Sequence, residues 1–104
     1  MKTDSARDFL LDQLRAVPGL ECRAMFGGFG LYAGARFFGL LYQGRLYFKT
    51  AKASRGPYVE RGMQPFQPSA RQELSPDWEV PADVIEDADE LAAWAHEAIN
   101  AAKE

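Results

Sequence analysis

The sequence predicts a small α+β domain in which helices cover one face of a mainly antiparallel sheet of hairpin-linked strands. Three observations lead there. Apolar residues recur at helical spacing near the N-terminus and again near the C-terminus, and residues 21–50 between them are short aromatic strands cut by glycines. The first helix is expected over 4–17, where Phe9, Leu10, Leu14 and Val17 share a face, Ser5 and Asp8 have capping-box spacing, and Pro18-Gly19 ends it. Strands follow near 21–26, 29–33, 37–42 and 45–50, separated by Gly27-Gly28, Gly34 and Gln43-Gly44. The first two are either separate strands or one strand bent at the glycine pair. A short helix is expected around 54–61, stopped by Gly62. Pro65, Pro68, Pro76 and Pro81 make 63–81 a loop, with short edge strands at most near Phe66 and Trp78–Val80. In the last helix Asp87 and Glu90 have capping-box spacing, and Leu91, Trp94, Ala95, Ala98, Ile99 and Ala102 form one apolar stripe.

With 104 residues the chain is expected to form one domain, long enough for a core without disulfides. Cys22 is the only cysteine, which excludes an intrachain disulfide and fits a reducing compartment. The charged, periodic N-terminus does not read as a signal peptide, and no run of about 18 apolar residues occurs, so a cytoplasmic location is expected. Charge is unevenly spread. Residues 22–72 hold eight bases (Arg23, Arg36, Arg45, Lys49, Lys52, Arg55, Arg61, Arg71) against one acid, Glu60, whereas 73–104 hold ten acids against Lys103 alone. Either the basic middle meets a partner, or the acidic tail folds against it and neutralises it.

A two-residue turn at Gln43-Gly44 sets Tyr42 opposite Arg45, Leu40 opposite Tyr47 and Phe38 opposite Lys49. One face then carries Phe37, Gly39, Leu41, Leu46, Phe48 and Thr50, apolar enough to lie under the helices. The other carries Phe38, Leu40, Tyr42, Arg45, Tyr47 and Lys49, more aromatic and basic than a solvated sheet face usually is. Three uses are open for it: stacking nucleic-acid bases, docking a protein, or being covered by the chain's own 63–81 segment.

No catalytic set is legible. His96 falls opposite the apolar stripe of the last helix and should be exposed; Cys22 reads as a buried strand cysteine; the acids at 83–90 match no cation-binding loop and suit a helix start. Gly27, Gly28 and Gly30 are followed by a strand rather than a helix, so they read as a bend and not a phosphate loop. The chain is expected not to be an enzyme, and to bind neither cofactor nor metal.

The string Arg23-Ala-Met-Phe-Gly-Gly-Phe-Gly-Leu-Tyr32, with Phe38-Gly-Leu-Leu41, Leu46-Tyr-Phe-Lys49, Gly62-Met-Gln-Pro-Phe66, Glu79-Val-Pro81 and Glu86-Asp-Ala-Asp-Glu-Leu-Ala-Ala-Trp94, resembles the N-terminal domain of TfoX/Sxy proteins. The motif residues are Arg23, Met25, Phe26, Gly27, Gly28, Gly30 and Tyr32. Between Phe66 and Glu79 the chain departs from the pattern, reading QPSARQELSPDW where a basic, glycine-containing hairpin is expected. The resemblance implies a two-layer α/β sandwich of α-β(3)-α-β(2)-α order like that of secretion chaperones, a role in regulating natural competence beside a cyclic-AMP-responsive transcription activator, and no catalytic residues. Because the family's regulators carry a second domain, the chain is expected to be a stand-alone version. Together these readings predict a regulatory protein-interaction module, with a homodimer as one possibility. Its contact residues are Phe38, Tyr42, Arg45, Tyr47 and Lys49. The alternative is direct nucleic-acid binding through the basic region 23–61.

Overall fold

The Gln43-Gly44 turn, with both residues at positive φ, organises the sheet as its sequence requires. A computed structural model describes residues 3–25, 27–67 and 76–102. Helix α1 (Thr3–Gln13) leads into β1 (Leu20–Met25), β2 (Gly28–Ala33), β3 (Arg36–Tyr42) and β4 (Arg45–Lys49). A 3-10 turn (Lys52–Ser54) then precedes α2 (Gly56–Glu60), β5 (Asp77–Glu79), α3 (Ala82–Ile85) and α4 (Ala88–Ala101). The five strands form one antiparallel sheet in the order β1-β2-β3-β4-β5.

The α+β architecture is as expected, but the strands are distributed differently from α-β(3)-α-β(2)-α. Four precede α2 and one described strand follows it. The chain reverses at Gly27, whose φ is +79°, and Met25 pairs with Gly28, so 21–33 is a hairpin of two strands. Helix α1 is also shorter than its apolar period suggested. It starts at Thr3, which places Ser5 inside the helix rather than at its cap. After Gln13 it tightens into turns, with Val17 N–H donating to Leu14 O at 2.9 Å. Leu10, Leu14 and Val17 are buried, but Phe9 is 49% exposed. It sits one residue, about 100° of helix rotation, off the Leu10–Leu14 line.

The core lies between the sheet and α1, α3 and α4. Leu10, Leu14, Leu31, Phe38, Leu41, Leu46, Phe48, Val84, Leu91, Ala95 and Ala98 meet there, and Tyr58 of α2 joins them, its ring 4.8 Å from that of Trp94. Helix α4 crosses β3 and β4 and also touches α1 and α3. Its small residues Ala95 and Ala98 let it approach the sheet closely. Asp87 caps it as expected, its Oδ1 accepting from the Asp89 and Glu90 amides at 3.1 and 3.2 Å. The short α3 carries no legible period, because four residues complete barely one turn.

Segment 63–67 lies along the outer edge of β5. Phe66 N–H donates to Asp77 O and Glu79 N–H to Gln64 O, with a bridge between Pro65 and Trp78. The start of β5 is tied to the end of β4 through Thr50, a buried polar residue whose amide and hydroxyl both donate to Pro76 O at 2.7 Å. One side of the sheet is thereby closed. The edge of β1 is bordered by no described strand.

Candidate interaction face

Between Leu31 and Tyr32 the β2–β3 register shifts by one residue: Leu31 pairs with Gly39 but Tyr32 with Phe37, leaving Phe38 as the extra residue of a bulge. The register expected from the Gln43-Gly44 turn holds for Tyr42–Arg45, Leu41–Leu46 and Leu40–Tyr47. Beyond the bulge the alternation reverses. Phe38, assigned to the open face, is fully buried against Phe48, ring centroids 5.7 Å apart. Phe37, assigned to the core face, instead stacks on Tyr32 at 5.2 Å, partly exposed. Two consecutive phenylalanines, Phe37 and Phe38, give no local sign of which of them the bulge turns to the core.

The face away from the helices has two halves. Over β3 and β4, Phe66 from the 63–67 segment packs edge-on against Tyr42 at 5.4 Å and Tyr47 at 4.9 Å. It leaves Tyr47 9% exposed and Tyr42 partly exposed. Burial first, and then the nearby Glu79 carboxylate, push the Tyr47 phenol above its ordinary pKa. Arg45 is exposed but held by both oxygens of Glu79, at 3.0 and 3.2 Å. Lys49 is partly exposed at the end of β4, opposite Asp77. Coverage by the chain's own segment, one of the three uses weighed above, is thus realised for this half. Phe66 and Glu79 were legible as edge-strand and motif residues but were not assigned to this face.

Over β1 to β3 the face is uncovered by any described residue. Arg23 lies 4.6 Å above the Tyr32 ring and bonds Glu21 at 2.9 Å, and Tyr32 in turn meets Phe37. Gly30 makes room for this cluster. A Cβ on it would come within 2.5 Å of the Met25 sulfur and within about 3.2 Å of both aromatic rings. The motif glycines therefore have separate structural tasks. Gly27 turns the hairpin, Gly28 lets β2 approach the Leu41 carbonyl, and Gly30 seats Met25, Tyr32 and Phe37. Phe26, the remaining motif residue, lies outside the described residues.

The basic middle is partly neutralised within the fold. Arg45 pairs with Glu79, and Arg61 pairs with Asp83 at 2.8 Å while approaching Glu90 at 3.9 Å. Arg36, Lys49 and Lys52 form no ion pair among the described residues. His96 is exposed on α4. Cys22 is half-buried on β1 and turned toward the core, where burial pushes its thiol up while Arg7, rather than adjacent Arg23, acts in the opposite sense. Among the described residues, no three histidine, cysteine or acidic side chains converge on a point. No described helix is long and apolar enough to cross a membrane.

Fold and face together define a small α+β domain with one helix-covered and one aromatic, basic sheet face. The sequence profile of the TfoX N-terminal domain family matches residues 12–102, most of the chain, and the chain belongs to that family. No curated protein matches it significantly.

Proposed function

We propose that the chain is a non-enzymatic regulatory module that binds another protein through the open face of its sheet. Family membership suggests a regulatory domain of the competence type, and that is the setting in which the reading places it. The observation that carries it is the uncovered cluster of Arg23, Tyr32 and Phe37, continued across the face by Tyr42, Arg45 and Lys49. Aromatic and arginine side chains supply most of the energy of protein interfaces, since their rigid rings bury much area at small entropic cost. Phe38 drops out of this face and Phe37 replaces it. The pairing of Arg45 and Arg61 with acids argues against a phosphate-binding track, which needs several unpaired bases in a row.

The test is capture of partners from the source cells with tagged wild type, Phe37→Ala and Arg45→Glu, each with and without nuclease. The reading expects a stoichiometric protein that survives nuclease and is lost from both variants. Capture abolished by nuclease would transfer the function to nucleic acid, and a partner retained by both variants would remove the face from consideration.

A further inference from the structure

We infer that the free edge of β1 pairs antiparallel with β1 of a second copy, joining two five-stranded sheets into one across a two-fold axis at Cys22. The opposite edge of the sheet, at β5, is occupied by residues 64–66, whereas no described residue bonds the outer side of β1. Strand β1 holds no proline or lysine and pairs with β2 without a bulge, and its two exposed charges, Glu21 and Arg23, are of opposite sign and so can pair across a two-fold.

Backbone direction fixes which residues would pair. Gly34 N–H donates to Gly19 O at 3.0 Å. Alternation along the antiparallel ladder then turns the backbone groups of Glu21, Arg23 and Met25 toward β2, and those of Leu20, Cys22 and Ala24 outward. A symmetric antiparallel pair must oppose these outward residues to one another. Three registers do so around the middle of the strand. Centring on Glu21 opposes two glutamates, and centring on Arg23 opposes two arginines. Only the register centred on Cys22 sets Glu21 against Arg23 of the second copy, twice, on the same face of the joined sheet. Cys22 then faces Cys22, Leu20 faces Ala24, and about six main-chain hydrogen bonds form. The exposed Glu21–Arg23 pair within each strand, at 2.9 Å, exchanges for one across the two-fold, so two pairs within strands become two between them. Both open faces fall on one side of the assembly, bringing the two Arg23–Tyr32–Phe37 clusters next to each other.

Sedimentation equilibrium tests the pairing directly. Wild type is expected to dimerise; Glu21→Arg and Arg23→Glu, each opposing like charges, should bind themselves about ten- to a hundredfold more weakly. Mixed together, the two variants should recover a wild-type-like heterodimer, as should the double exchange Glu21→Arg/Arg23→Glu with itself. Ala24→Pro removes an outward amide that the monomer does not use, so it should keep the wild-type circular dichroism and be monomeric. A wild type still monomeric at about 1 mM, or a dimer that every variant retains, would overturn the inference. Failure of the mixture to recover the dimer would overturn the Cys22-centred register. Ala24→Pro lies outside the Arg23–Tyr32–Phe37 cluster and differs from Phe37→Ala and Arg45→Glu, so with it loss of self-association and loss of partner capture are read separately.

Discussion

Phe37 and Phe38 are consecutive in the chain and lie on opposite faces of the sheet: Phe37 stacks on Tyr32 at 5.2 Å, and Phe38 packs on Phe48 at 5.7 Å in the core. The bulge turns Phe38 to the core, and Gly39 beside it leaves room for the Phe48 ring, which a Cβ there would approach to 3.0 Å. Truncating the two should therefore have unequal effects. Phe38→Ala empties a fully buried site and should cost about 3–5 kcal/mol. Phe37→Ala loses one partly exposed ring contact, about 1 kcal/mol. Urea unfolding of both variants measures the difference, and equal losses would contradict the bulge.

Gly28 opens β2 directly against the Leu41 carbonyl of β3. A Cβ at this position collides with the carbonyl oxygen of Leu41, a backbone atom that cannot swing away as a side chain would. Gly28→Ala should destabilise by about 1–3 kcal/mol through strain. Gly30→Ala meets the flexible Met25 side chain first and should cost less. Thermal unfolding of the pair would show a smaller Tm loss for Gly30→Ala; the reverse order would mean that the β2–β3 approach is not the tight one.

The difference between what was and was not legible follows from the range of each signal. Turn chemistry is local: Gln43-Gly44 and Gly62 were readable in place, and the hairpin register from Tyr42 to Leu40 followed directly. The Asp87 cap and the α4 stripe were readable for the same reason, since cap and period lie within one element. The bulge was not, because inserting one residue between two strands is settled by how the β2 and β3 side chains pack together. That single residue exchanged Phe37 for Phe38 on the candidate face. The covering of Tyr47 by Phe66 joins residues 19 positions apart across a proline-rich segment, and composition carries no sign of where such a segment lands. Arg23 was read as a motif residue, but its seat above Tyr32 depends on the Gly27 reversal, which sequence left open.

Phe66 is the cover of one half of the face, and its removal has a spectroscopic signature. Phe66→Ala should lower stability by about 1–3 kcal/mol, less than a fully buried phenylalanine would, because the ring is only partly buried. The same change opens Tyr47 to water. Burial is the main reason its phenol titrates high, so its pKa should fall back toward the ordinary tyrosine range in an ultraviolet alkaline titration. A Tyr47 transition that does not move would show that Phe66 is not what shields it.

Tyr58 gives the fold a defined alkaline limit. Its ring is 4% exposed, packed on Trp94, and burial, reinforced by the Glu97 carboxylate, raises its phenol well above the ordinary value of 10. The unfolded chain releases this proton near pH 10, whereas the folded chain retains it. Below pH 10 both states are protonated and the stability is fully present. Above it the unfolded state binds fewer protons, and stability falls by about 1.4 kcal/mol per pH unit for this one group. Urea midpoints between pH 8 and about 11.5 should accordingly stay level and then decline. Tyr58→Phe keeps the ring and removes the proton, so its decline should be shallower by that slope. If the variant declines as steeply as the wild type, the alkaline loss arises elsewhere, with Tyr47 the next group to replace.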